Sequence, residues 1–99
     1  MSAVPSEIGG ARVVCYAPID ARSRPTGYCK HYHGSTLLGP AAGLAICQYK
    51  GESYYYLFGC DETWRSVTDS WHETLDDAKR QAELEYEGVT RAWVHRSES

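Results

Sequence analysis

The segment 54–58 constrains the fold of this 99-residue chain most strongly, because every residue in it is aromatic or aliphatic. Successive side chains of a β-strand point to opposite faces of the sheet. One face would therefore receive Tyr54, Tyr56 and Phe58, and the other would receive Tyr55 and Leu57. A second strand-like run at 44–49 precedes it, and residues 50–53 between the two predict a hairpin. Both faces of this central strand consequently need cover.

One amphipathic helix is predicted between Thr74 and Gly88. Thr74 fits the N-cap position with Asp77 at N3, and Gly88 fits the C′ position, where a positive φ is favoured. With Gly88 at C′, Leu84 and Val89 would form the hydrophobic contact of a Schellman motif. Apolar residues recur between the caps at helical spacing, namely Leu75, Ala78, Ala82 and Tyr86. This helix can cover only one face of the sheet.

Further short strands are predicted at 12–16 and 64–68, and residues 89–95 are expected to return and pack through Trp93, as an edge strand or an extended tail. The fold class is therefore predicted to be α+β. We expect an antiparallel sheet of three to four strands, a β-β-β meander followed by the helix, with that helix packed on one face.

The domain is expected to span residues 11–96. Residues 1–10 are small and polar and are expected to form a flexible N-terminal tail. Residues 17–43 lack periodicity and contain several Gly and Pro, which predicts a long loop that is either mobile or functional.

The chain shows neither a secretory leader nor an apolar run of the ~18 residues that a bilayer requires. We therefore expect a cytoplasmic protein with no membrane partner. In that compartment the cysteines are expected to be reduced thiols. They are Cys15, Cys29, Cys47 and Cys60.

The aromatic residues give the leading functional prediction. Eight Tyr and three Trp supply more aromatic surface than one helix covers, and both residue types are favoured in interfaces. We therefore predict a non-enzymatic protein-binding domain that acts through an aromatic sheet surface or as a homodimer. The predicted partner-binding residues are Tyr49, Tyr54, Tyr55, Tyr56, Trp64 and Trp71. An aromatic core closed by the long loop is the alternative interpretation.

A basic loop at 22–33 gives a second functional hypothesis, the binding of single-stranded nucleic acid. Its cations are Arg22, Arg24, Lys30, His31 and His33. Tyr28 and Tyr32 are interleaved with them, and cations beside stacking rings suit single strands. The net charge of −3 and the lack of a recognition motif argue against this hypothesis.

Metal binding or a small enzyme is the third hypothesis. Cys29, His31 and His33 could bind zinc, but alternate residues of an extended chain point to opposite faces, so no metal site is predicted. A thiol at Cys60 or a Ser–His pair within 69–73 could act as a nucleophile. The chain lacks a nucleophile elbow, an HExxH motif and a glycine-rich anion loop, so neither catalytic residues nor a cofactor are predicted.

The tract 54–87 resembles two groups of proteins. It is similar to small bacterial proteins without assigned function, which share runs such as Cys60-Asp61-Glu62 and Trp71-His72. It also resembles the HicB-type antitoxin domain, in which a strand ending in Gly-Cys precedes an acidic turn, a Thr and a helix that opens with acids and Ala. The matching residues are Gly59, Cys60, Thr74, Asp76, Asp77 and Ala78. The strand-like run 64–68 departs from that pattern. The resemblance implies an antitoxin-like or immunity-like protein that binds and neutralises a toxin.

Overall fold

The computed structural model describes residues 3–28 and 30–96. The secondary-structure elements in chain order are β1 Glu7–Ile8, β2 Ala11–Pro18, β3 Arg24–Pro25, β4 Tyr32–His33, β5 Thr36–Leu37, β6 Gly43–Gln48, β7 Tyr55–Cys60, β8 Ser66–His72, α1 Leu75–Glu85, β9 Tyr86–Glu87, a 3₁₀ turn at Val89–Arg91, and β10 Val94–His95.

The main sheet is larger than the sequence predicts. Its strands are antiparallel in the order β1-β2-β6-β7-β8, and β10 also pairs with β2. Strands account for 41% of the residues and helical residues, with the 3₁₀ turn included, for 15%, and the sheet curls into a half-barrel. The prediction of three to four strands was therefore wrong, although one helix does pack on the sheet in an α+β arrangement. The two-residue strands β1 and β10 are too short to carry a periodic pattern, and β8 is mostly polar.

A β-bulge at Val14 divides strand β2 between the two faces of the sheet. Val13 is the partner of Cys47, whereas Cys15 is the partner of the adjacent residue Ile46, so Val14 is an extra residue. A bulge of this kind reverses the alternation of side chains beyond it. The early residues of β2 therefore face one core and the later residues face the other.

The two faces of the sheet carry separate cores. The helix covers the first, whose buried members include Cys15, Leu44, Ile46, Leu57, Ala78, Ala82, Tyr86 and Val89. The second core contains Ile8, Ala11, Val13, Ala45, Cys47, Phe58, Cys60 and Trp64. The alternation predicted for 54–58 is confirmed, because Tyr55 and Leu57 pack with the first core and Tyr56 and Phe58 with the second.

The helix begins as predicted and ends earlier than predicted. The Thr74 hydroxyl accepts a 3.0 Å hydrogen bond from the backbone N–H of Asp77, which confirms the N-cap. Tyr86 leaves the helix in an extended conformation, because it pairs with Pro25 of β3. Gly88 has the expected positive φ of 97°, but it begins the 3₁₀ turn. The predicted Schellman motif, with its contact between Leu84 and Val89, was therefore wrong.

Residues 3–10 lie against the sheet, although their composition predicts a flexible tail. Ile8 is buried in the second core and pairs with Ala11 in the register of β1 and β2. The Arg96 guanidinium donates hydrogen bonds of 2.7 Å to the carbonyl oxygens of Val4 and Pro5. The N-terminal segment is therefore part of the cover of the second face.

Residues 24–28 and 30–42 form an arm that crosses from the end of the helix to the sheet. It starts with β3, which pairs with β9 beside the helix, and continues through the β4–β5 hairpin. The backbone N–H of Ala42 then donates to the carbonyl of Cys60 at 2.9 Å. The expected long loop at 17–43 therefore contains short paired segments.

Within residues 3–28 and 30–96, no helix is both long enough and apolar enough to cross a bilayer.

Candidate functional site

Four of the predicted partner-binding residues form one aromatic cluster, which consists of Tyr49, Tyr54, Tyr56 and Trp71. The ring centroids of Tyr49 and Tyr56 are 5.6 Å apart, those of Tyr54 and Tyr56 5.8 Å, and those of Tyr54 and Trp71 5.7 Å. Tyr56 and Trp71 are also direct cross-strand partners of β7 and β8. Aromatic rings at these separations stabilise one another. The cluster is therefore continuous from the turn between β6 and β7 to β8.

Trp71 is the exposed member of the aromatic cluster. Its side chain is 54% exposed, whereas the three tyrosines are half-buried. Asp69 is two residues from Trp71 along β8, on the same face, and Glu52 is beside Tyr54. Desolvation and the negative charge of Glu52 raise the pKa of the Tyr54 hydroxyl. The aromatic cluster therefore has one carboxylate beside Trp71 and one beside Tyr54.

Two other predicted partner-binding residues lie elsewhere. Tyr55 packs against the helix-side core. Trp64 is only 2% exposed, lies in the second core and makes an edge contact with Tyr16 at 5.8 Å between centroids. Trp64 lies in a tight turn and has a positive φ of 63°. The Asp61 carboxylate stabilises this turn, because it accepts hydrogen bonds from the backbone N–H groups of Thr63 and Arg65. Trp64 is therefore a core residue.

The basic loop is largely neutralised by carboxylates. The ion pairs are Arg22–Asp20 at 3.0 Å and Arg24–Glu87 at 3.0 Å, and His31 Nε2 lies 2.9 Å from a carboxylate oxygen of Glu85. Lys30 is exposed, and the side chain of His33 lies outside the described residues. These pairs reduce the positive charge that this loop presents to a phosphate backbone.

Two of the three candidate zinc ligands, Cys29 and the side chain of His33, lie outside the described residues. Among the residues that are described, no cluster of three His, Cys, Asp or Glu side chains could hold a metal ion.

The thiols that the structure describes are unsuited to nucleophilic chemistry. Cys15, Cys47 and Cys60 are free and buried. Burial raises the pKa of Cys15 to about 11, and that of Cys47 and of Cys60 to about 12. Since the thiolate is the reactive form, these groups are inert at neutral pH.

A cavity of about 230 Å³ lies on the helix side of the sheet. Its floor is formed by Leu44 and Leu57, and Thr68 and Ser70 of β8 form one wall. The arm passes over the cavity, and the end of the helix supplies Glu85. No sequence pattern indicates this cavity, because its walls come from segments far apart in the chain.

A chain of hydrogen bonds joins the arm to the end of the helix beside the cavity. Glu85 accepts from Gln81 Nε2 at 2.9 Å and lies 2.9 Å from His31 Nε2. The Tyr86 hydroxyl accepts a 2.7 Å hydrogen bond from the backbone N–H of Ala41. From the sequence, His31 belongs to the basic loop, and no pattern selects Glu85. The two residues are 54 positions apart in the chain, so no local pattern indicates their contact.

Ser70 and His72, the Ser–His pair within 69–73, are in contact, with 2.7 Å between Ser70 Oγ and His72 Nε2. Burial lowers the pKa of His72, while the negative charges of Asp77 and Glu85 act in the opposite direction. Side chains two residues apart on one strand share a face, so this contact follows from the strand itself. A nucleophilic centre would also need an oriented third group and oxyanion donors.

Comparison with known proteins found no matching protein family, no matching curated protein and no matching solved structure.

Proposed function

We propose that this protein is a non-enzymatic binding domain that recognises a protein partner through the aromatic cluster on β7 and β8. The observation that carries the proposal is the exposed indole of Trp71 on β8, the last strand of the sheet. The Trp71 ring contacts the ring of Tyr54. Tryptophan and tyrosine anchors supply much of the binding energy in protein interfaces. The half-buried tyrosines beside Trp71 would hold the indole in place before binding.

The position of β8 supports a partner that adds an extended segment to the sheet. Among the described strands, β8 ends the order β1-β2-β6-β7-β8 and pairs with β7 alone. An unpaired strand edge offers its backbone groups to another strand. Asp69 beside Trp71 and Glu52 beside Tyr54 favour a partner with basic side chains around an apolar anchor. Arg is the best match, because its guanidinium also stacks on aromatic rings.

The partner class follows from the sequence resemblance and stays a prediction. A HicB-type relationship would make the partner a toxin and this chain its neutralising antitoxin or immunity protein. A second copy of the chain is the other partner that the exposed strand edge would fit. The cytoplasm remains the expected compartment for either complex.

Binding measurements with matched variants test the proposal. We expect Trp71→Ala to weaken capture of the native-host partner by roughly 30-fold, as for an interface anchor. Tyr28→Ala is the control, because Tyr28 is more exposed than Trp71, at 66%, and lies on the arm. Tyr28→Ala should leave capture unchanged. Equal capture by the wild type and by Trp71→Ala would exclude the aromatic cluster as the interface.

Two solution measurements separate the alternatives. Analytical ultracentrifugation of the wild type and of Trp71→Ala distinguishes a homodimer, which only the wild type would form, from a binding domain that is monomeric alone. Fluorescence anisotropy with a single-stranded oligonucleotide tests the basic loop. We expect no binding at physiological salt, because Arg22, Arg24 and His31 already contact carboxylates.

A further inference from the structure

The cavity on the helix side is independent of the aromatic cluster, because the two lie on opposite faces of the sheet. Its floor is apolar, since Leu44 and Leu57 are almost fully buried members of the first core. Its remaining lining is rich in oxygen atoms, including the hydroxyls of Thr68 and Ser70 and the carboxylate of Glu85. An apolar pocket with a few convergent polar groups is the usual form of a small-molecule site.

The charge of the lining favours a cation. Glu85 is the best placed carboxylate, because its side chain is only 12% exposed and Gln81 and His31 hold it in position. Asp61 and Glu62 also line the cavity, whereas the side chain of Asp69, the cross-strand partner of Phe58, lies on the face of the aromatic cluster. His31 is the one basic side chain among the described lining residues. A positively charged group would therefore be attracted here and an anion repelled.

The size and the floor of the cavity restrict the rest of the ligand. A volume of about 230 Å³ is below the range of roughly 300–1,000 Å³ that is typical of sites for drug-sized molecules. The leucine floor would desolvate a short hydrocarbon chain, which favours an organic cation over a hydrated inorganic ion.

We propose that this cavity binds a small organic cation, a primary ammonium or a guanidinium on a short aliphatic chain. The charged group lies at Glu85, within reach of the oxygen atoms of β8, and the aliphatic chain lies over Leu44 and Leu57. An ammonium or guanidinium donates several hydrogen bonds and accepts none, which suits a lining rich in carboxylate and hydroxyl oxygens.

Titration of the full chain with matched probes tests this inference. The probes are n-butylammonium and n-butylguanidinium, with butyrate and butanol as compounds of similar length and different charge. Backbone amide resonances in a ¹H–¹⁵N NMR spectrum report binding. We expect the two cations to shift the resonances of Thr68, Ser70 and Tyr86 in a saturable manner. Butyrate should leave them unchanged, and butanol should bind at least about tenfold more weakly.

Two variants locate the charged contact. Glu85→Gln should weaken binding of n-butylammonium by at least about tenfold, because a charge-assisted hydrogen bond is lost. Glu87→Gln removes a nearby carboxylate that pairs with Arg24 and should leave that affinity unchanged. Equal binding of butyrate and butylammonium to the wild type would overturn the proposal without any variant. Saturable binding that survives Glu85→Gln would also overturn it, as would the absence of any shift at millimolar probe.

Discussion

The hydroxyl of Tyr86 accepts a 2.7 Å hydrogen bond from the backbone N–H of Ala41, and this contact joins the end of the helix to the arm above the cavity. Tyr86 is 7% exposed, so its ring is part of the core while its hydroxyl fixes the arm. Burial is the main cause that raises the pKa of this hydroxyl. The hydroxyl therefore stays neutral at physiological pH, and its oxygen accepts the hydrogen bond from the Ala41 N–H.

Removal of this hydroxyl should destabilise the protein. We expect Tyr86→Phe to lower the free energy of unfolding by about 1–2 kcal/mol, because the partly buried N–H of Ala41 loses its acceptor. Urea titration measures the loss, and hydrogen exchange at the Ala41 amide should accelerate. Tyr28→Phe, on an exposed ring, should change stability by less than about 0.5 kcal/mol. Unaltered exchange at Ala41 in Tyr86→Phe would contradict this role.

Two glycines with positive φ should respond differently to alanine. The φ angles of Gly88 and Gly51 are 97° and 83°, in the left-handed region. A Cβ atom at Gly88 would lie 2.4 Å from the carbonyl oxygen of Arg22, whereas at Gly51 nothing lies within 4 Å. We expect Gly51→Ala to cost about 1 kcal/mol from backbone strain alone and Gly88→Ala at least about 2 kcal/mol more. Thermal unfolding of the two variants side by side measures this, and equal melting temperatures would refute the predicted clash.

The Glu83 carboxylate should contribute stability that depends on pH. Burial raises its pKa, but hydrogen bonds from the backbone N–H groups of Gly88 and Thr90 and from the Thr90 hydroxyl outweigh that effect, so its pKa lies below the ordinary 4.5. A group with a depressed folded-state pKa stabilises the protein above its unfolded-state pKa and loses this contribution as the pH falls.

We therefore expect Glu83→Gln to be less stable than the wild type at pH 7 by about 1 kcal/mol, a value reduced for solvent exposure. The difference should shrink as the pH falls below 4.5 and through the lower folded-state pKa of Glu83. Urea titrations at pH 7 and over a series of acidic pH values measure it. Glu87→Gln is the control, because Glu87 forms an exposed pair with Arg24 and should contribute less than about 0.5 kcal/mol. A difference that stays constant with pH would contradict this assignment.

Local patterns predict local structure correctly in this chain. The N-cap at Thr74 depends on residues three positions apart, and the alternation along 54–58 depends on neighbours, so both can be derived from the sequence. The end of the helix could not be derived in this way, because Tyr86 leaves the helix to pair with Pro25, 61 positions earlier in the chain. A preference for helix at Tyr86 is therefore overruled by a distant contact.

The candidate site shows the same division. Strand alternation correctly separates Tyr55 from Tyr54 and Tyr56, but it gives no information on Trp64, whose tight turn directs it into the second core. The cavity requires the arm to return to the end of the helix. Its His31–Glu85 contact joins residues 54 positions apart, and no local pattern records that pairing.

Because Val14 is an extra residue, strand β2 contributes side chains to both cores. Deletion of Val14 would reverse the alternation in the first half of β2 and direct Ala11 and Val13 away from the second core. The length of this strand is therefore as strictly determined as its composition. The two interiors also share one backbone there. Loosening of either would be transmitted to the other, and the domain is therefore expected to unfold as a single cooperative unit.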